Sequence, residues 1–347
     1  MIDNSKVLLS RMRFLRANEK HLLNKMFPAS EDLIKLKVCD IENIISRRLR
    51  VKNSNLEYMV TEARKACEMM ADENLKAVFL GDEQYPAQLS ELYNPPFSLY
   101  YRGTLPSWKN PAVSVVGTRI ATGAGLDSSF SLGYSFATAN CPVVSGLALG
   151  VDSAAHKGAV TASGSTIAVL GCGVDTIYPS SNRNLASSIL DSGGAIVSEY
   201  LPGEPARRHH FVERNRIISG LSRAVIVVEA PGKSGALITA DFALEQGRDI
   251  FFHENALKQA GEGSRVERYI FDGAPLINNA YEILADWGFP DALKYDSTVK
   301  KEMYVTSKNA GNLMAERLKD ELDGAYLKFN GKYFRRGCNE SPYSTNR

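Results

Sequence analysis

Between Pro111 and Phe252 the chain alternates short runs of β-branched and small apolar residues with stretches of helical length, and each run stops at a glycine or a small polar residue. The runs predict strands at Ala112–Val116, Pro142–Ser145, Thr166–Leu170, Ala195–Ser198, Ala224–Glu229 and Asp249–Phe252. Strands alternating with helices predict an α/β fold with a doubly wound, mostly parallel sheet and right-handed crossovers. Residues 1–75 have another texture, with helical patterns from Glu31 onward and over Glu57–Met70 and no strand alternation, which predicts a small helical domain. The stretch 76–110 is rich in proline and aromatics, as in Asn94-Pro95-Pro96-Phe97, and reads as a linking arm laid over a neighbouring domain.

Composition narrows the partners. With 347 residues, 44% of them hydrophobic, the chain can bury a sizeable core in two or three domains. The formal charge is only +2, so a nucleic-acid site has to come from local clustering. No stretch approaches the apolar length of a membrane span, and Met1–Lys20 carries charges where a leader peptide needs an apolar middle. The expectation is a cytoplasmic chain without membrane insertion. Five cysteines, widely spaced and without a Cys-x-x-Cys, argue against a disulfide framework and against a zinc module.

Local clustering is found at residues 207–216, where four arginines and two histidines face one glutamate, with Phe211 among them. Cations beside a ring suit a flexible single strand with exposed bases, and the other use of Phe211 is as a core residue under a basic surface turn. Further unusual residues fall at the carboxyl ends of the predicted strands, where doubly wound sheets bind ligands. These are Gly117-Thr118-Arg119, Ser145-Gly146, Gly171-Cys172-Gly173, Ser198-Glu199-Tyr200 and the run from Glu229 to Gly235. Glycine lets a ligand approach the backbone, the following helix start offers N–H groups to phosphate, and Arg119 adds a fork of donors. Arg119 has a structural carboxylate as its alternative partner. Lys233, Ser234 and Gly235 resemble a small anion nest.

Two nucleotide signatures fail. A Walker A loop ending at Gly232-Lys233-Ser234 needs a glycine where Val227 stands, and Gly171-x-Gly173 lacks the third glycine of a dinucleotide fingerprint. No cofactor is implied. Asp152 and His156, four apart, share a helix face and have no evident third metal ligand. Asp152 is left as a helix cap, a partner of His156, or, with it, a shaper of the pocket. Glu229 at the end of its strand could pair with Arg214 or Arg216. No catalytic triad, paired-carboxylate acid/base site or reactive cysteine environment follows from the spacing.

The blocks Ser114–Arg119, Val144–His156, Thr166–Pro179, Phe211–Leu221 and Lys233–Ala240, in this order, resemble those of the DNA-processing protein A (DprA/Smf) family. The resemblance implies an extended Rossmann-type domain over 111–290, preceded by a SAM-like helical domain at 1–75. It also implies a protein that is not an enzyme, with binding and protection of single-stranded DNA, and loading of the RecA recombinase in natural transformation, competence or recombination by a homodimer. Carried over by motif, Arg119, Arg208, Arg214, Arg216 and Lys233 would contact phosphates. Asn215 would hydrogen-bond the strand and Phe211 would stack on a base, while Gly117, Thr118, Ser145, Gly146, Gly171, Ser234, Gly235 and Thr239 would line the site. The segment from His253 departs from the family's Val-Pro-Gly turn, so the loop over 253–268 is expected to be remodelled. Residues 291–347 look like a shortened winged helix, with a helix at Leu313–Leu322 and a hairpin after it. The alternatives are a nucleotide phosphoribohydrolase of the lysine-decarboxylase-like group, whose Pro-Gly-Gly-x-Gly-Thr loop becomes Pro231-Gly232-Lys233-Ser234-Gly235-Ala236 here, and a nucleotide-sensing scaffold.

Overall fold

The computed structural model describes residues 4–289 except Lys233, together with 326–329 and 332–335. Two units separate, 1–296 and 297–347. The first is built on a sheet of β1 (Lys76–Phe79), β2 (Ser98–Gly103), β3 (Val113–Val116), β4 (Val143–Ser145), β5 (Thr166–Leu170), β6 (Ala195–Ser198), β7 (Ala224–Val227), β8 (Asp249–His253) and β9 (Leu276–Ile277). Their spatial order is β1-β2-β6-β5-β4-β3-β7-β8-β9, parallel from β6 to β9. All six predicted strands are present; the β-branched runs of β3 to β7 are buried on both faces, as a parallel sheet requires, while β8 is buried only at Phe252 and His253.

The helices are α1 (Asn4–Arg11), α2 (Ala17–Met26), α3 (Ser30–Lys35), α4 (Val38–Ile45), α5 (Asn53–Asp72), α6 (Ala87–Ser90), α7 (Gly123–Thr138), α8 (Val151–Thr161) and α9 (Arg183–Asp191). They continue as α10 (Arg208–Glu213), α11 (Asn215–Gly220), α12 (Ala236–Glu245), α13 (Glu254–Lys258), α14 (Arg265–Phe271) and α15 (Tyr281–Asp286). Successive strand residues point to opposite faces. On one face Val113, Val115, Val143 and Ile226 meet Leu132 and Phe136 of α7, Ala155 of α8 and Ile283 of α15. On the other, Val116, Val144, Val169, Val225 and Val227 meet Ile217 and Ile218 of α11 and Leu237 and Ala240 of α12.

The proline-rich segment differs from its expected role as an arm. It supplies β1 and β2, and β2 pairs antiparallel with β6 from Tyr100 opposite Ser198 to Gly103 opposite Ala195. This pairing satisfies the backbone groups that β6 would otherwise leave open at the sheet edge. Residues of α1, α2 and α5, including Val7, Leu9, Leu23, Ala66 and Met70, then pack with Phe79, Phe97 and Tyr100 in a shared apolar cluster.

The segment 253–268 holds α13 and the start of α14. The His253 ring caps α13 by accepting from the Asn255 N–H (3.1 Å), and the Asn255 amide reaches Ala124 O (3.1 Å) and Ser128 Oγ (3.0 Å) on α7. In the second unit β10 (Tyr326–Phe329) and β11 (Lys332–Arg335) form an antiparallel hairpin. The helix expected at Leu313–Leu322 and the tail's other parts lie outside the described residues.

Candidate nucleic-acid interface

The chain leaves β3 toward β4 on one side and comes back on the other side as β7, so the loops after β3 and β7 diverge at this switch point. A cleft of about 700 Å³ opens there. Gly117, Thr118 and Arg119 follow β3 into it, and Ser234, Gly235 and Thr239 come from the loop after β7 and the first turn of α12. Arg208, Phe211, Arg214 and Asn215 enter from α10 and α11, and Asp152 from the first turn of α8. The predicted contacts Ser145, Gly146, Gly171 and Arg216 are not among the lining residues, nor are His156 and Glu229. Lys233 lies outside the described residues.

The mouth of the cleft is cationic. Arg119 and Arg208 are exposed, and neither forms an ion pair with another described residue. The Arg119 guanidinium stands 5.9 Å from the Phe211 ring centroid. Tyr178, to which sequence reading gave no role, lines the same cleft, is 46% exposed and lies 5.2 Å from Phe211 at a 43° tilt. Phe211 is half-buried and open to the cleft, not a core residue. An aromatic residue before a proline on a strand-end loop is the signal that would have pointed to Tyr178.

The floor of the cleft is different. Arg214 is 5% exposed, and its Nη1 donates to the carbonyls of Gly146 (2.8 Å) and Val169, while Nε donates to Asn215 Oδ1 (3.2 Å). A side chain at Gly146 would run into this guanidinium, which is why the strand end needs glycine there. Asp152 Oδ2 accepts from the N–H groups of Gly146 (3.0 Å) and Ala148 (3.4 Å). Burial pushes the Asp152 carboxyl above its ordinary value, against the opposing pull of Arg214 and these N–H groups. Asp152 therefore ties the loop after β4 to α8, beneath the cleft. His156, one turn on, is fully buried and donates from Nδ1 to Thr166 Oγ1 (2.7 Å), whose own hydroxyl donates to Val143 O (2.8 Å). Burial and the positive charge of Arg214 push its pKa down to about 3, so the ring is neutral and structural.

Four expected contacts are redirected by burial or pairing. Arg216 points away from the cleft and is held by Glu199. Ser145 Oγ donates to Val115 O (2.7 Å), binding β4 to β3. Gly171 sits beneath α10, where a Cβ would come within 3.0 Å of the Phe211 ring, and its carbonyl accepts from His210 Nδ1 (3.1 Å). Glu229 is buried and pairs with neither arginine. Its carboxylate accepts from the Thr122 N–H (2.9 Å) and hydroxyl, and Thr122 in turn caps α7 through Gly125 N–H (3.0 Å). The basic run is also less basic than it reads, since burial first and then Arg13 lower the pKa of the interior His210.

The chain matches the family described as DNA recombination-mediator protein A over residues 76–288. The protein Smf of Borreliella burgdorferi is 34% identical over 263 residues, 74% of this chain and 80% of that one. The crystal structure of DNA processing protein A from Streptococcus pneumoniae superposes with a TM-score of 0.64 at 33% identity, covering 82% of this chain and 98% of the other. That from Helicobacter pylori, described for its single-stranded DNA binding mode, gives 0.55 at 27% identity over 61% and 95%. Among the described residues, no group of three or more His, Cys, Asp or Glu is placed to hold a metal, and no helix is long and apolar enough to cross a membrane. The family match, together with a switch-point cleft edged by Arg119, Arg208 and Phe211, leads to one conclusion: the chain belongs to the DNA recombination-mediator protein A family.

Proposed function

We propose that the cleft at the β3–β7 switch point binds single-stranded DNA. The observation that carries this reading is the gathering in one cleft of two exposed guanidiniums, Arg119 and Arg208, without an ion-pair partner among the described residues, and an accessible aromatic pair, Phe211 and Tyr178. The guanidiniums take phosphates, and the rings take a base that duplex DNA keeps stacked inside. Asn215 keeps its amide N–H groups for the strand, because its carbonyl oxygen is engaged by Arg214. The Ser234–Ala236 turn sets the start of α12 against the cleft. The Helicobacter pylori relative, described as binding single-stranded DNA, supports the same ligand class.

On this reading the chain holds and protects incoming or processed single strands in the cytoplasm and passes them, as a homodimer, to the RecA recombinase. It acts as a binding protein without turning its ligand over. A gel-shift titration of an oligothymidine against a duplex of equal length, at two salt concentrations, tests the cleft. Tight, salt-sensitive binding of the single strand that weakens in Arg119→Ala and Phe211→Ala supports it. Equal affinity for both DNAs, or no loss in either variant, overturns it, and release of free base from a nucleoside monophosphate would replace it with hydrolase chemistry.

A further inference from the structure

A second cavity, of about 370 Å³, lies between the helical layer and the sheet, lined by Lys20 of α2, Phe97 before β2, Glu199 and Tyr200 after β6, and Glu213 and Arg216. Its hydrogen-bonding groups do not balance. Lys20 is 8% exposed and its ammonium has one acceptor, the Ser10 carbonyl at 3.2 Å, with the Phe97 ring 5.5 Å away. Among the described residues no carboxylate is within ion-pair distance of it. Arg216 spends Nη2 on Glu199, and its Nη1 is buried with no partner among the described residues. The carboxylates of the cavity are already engaged, Glu199 by Arg216 and Glu213 by the Tyr200 hydroxyl (2.8 Å).

Donors therefore outnumber acceptors. An ammonium carries three N–H groups and a guanidinium nitrogen two, so most of those on Lys20 and Arg216 Nη1 await an oxygen. Burial lowers the Lys20 pKa to about 8, although the Glu199 carboxylate pulls the other way. An occupant that restores the balance brings several acceptor oxygens and negative charge, and a tetrahedral oxyanion offers both in a small volume.

We infer that this cavity is a binding site for a phosphate-type oxyanion, inorganic phosphate or the phosphate end of a small ester, held between Lys20 and Arg216. It is separate from the cleft and does not rest on the DNA reading. The test is thermal unfolding of the full chain in phosphate against chloride at equal ionic strength. The background is Arg119→Ala with Arg208→Ala, which removes the exposed arginines of the cleft. The expected result is a rise of about 3 °C at about 10 mM phosphate, by binding linkage. Lys20→Met abolishes that rise, yet in chloride is no less stable than its parent, because it removes a desolvated ammonium. If Lys20→Met does not fold, Lys20→Gln is read in its place. A phosphate shift unchanged by the Lys20 substitution, or one that vanishes with the cleft arginines, overturns the site. Titration calorimetry with nucleoside monophosphates against inorganic phosphate, in the same background, distinguishes an ester from the free ion. Absence of heat with both counts against the site.

Discussion

At the mouth of the cleft Arg119 and Arg208 are exposed and hold no carboxylate among the described residues, whereas on its floor Arg214 is buried among carbonyls and beside Asp152. The same side chain serves two ends. A guanidinium in water with no partner is free to meet a phosphate and costs the fold nothing when removed, while one sealed inside with its donors engaged holds strand ends together. Basic residues near a site thus divide into ligands and girders, and burial together with hydrogen-bond partners separates them.

The largest effect that would break this division is expected at Arg214. Arg214→Met leaves two carbonyls without their donor and takes the positive charge from beside the buried Asp152, and should destabilise the fold by about 3–5 kcal/mol, read from denaturant midpoints. A loss under about 1 kcal/mol would place Arg214 with the ligands instead. Next comes Phe211→Ala, which should weaken oligothymidine binding by about 1–3 kcal/mol with unfolding little changed. Tyr178→Ala should show a smaller loss of the same kind, and no loss would leave Phe211 as the sole platform. Arg119→Ala should lower the salt dependence of binding by about one counterion and move stability by no more than about 0.5 kcal/mol. A stability loss well beyond that would make Arg119 a girder as well.

A separate effect, visible only as pH is lowered, concerns the interior charge itself. His156 titrates near 6.5 when unfolded and is pushed down to about 3 in the fold. Between these values the unfolded chain binds the proton and the folded chain does not, so stability falls as pH drops from about 6.5 toward about 3, by up to about 1.4 kcal/mol per pH unit. His210 and His253, also lowered, add to the slope with the same sign. His156→Asn should remove about one proton from the slope of stability against pH between pH 6 and 5. An unchanged slope would mean that the ring is protonated beside Arg214 after all.

Much of this was legible from residue order, and the failures have physical causes. The five strands β3 to β7 announce themselves because burial on both faces demands unbroken apolar runs. β1 and β2 do not, since they hold only four and six residues and take their order from antiparallel pairing, β1 with β2 and β2 with β6. Arg119 was placed by the rule that strand ends carry ligands, and Phe211 by the basic cluster around it. Arg216 was misplaced although helix geometry holds the clue: residues two apart on a helix point in nearly opposite directions, so Arg214 and Arg216 cannot share a ligand. The capping role of Glu229 depends on Thr122, a contact across 107 positions that no local pattern encodes.

The apolar cluster that joins α1, α2 and α5 to Phe79, Phe97 and Tyr100 limits how the molecule can be dissected. A fragment cut to 76–288, the span that matches the family, would keep every cleft residue yet lay bare a greasy flank at the β1–β2 margin. Such a fragment would be sticky in solution, and an assay on it would report clumping as readily as DNA capture.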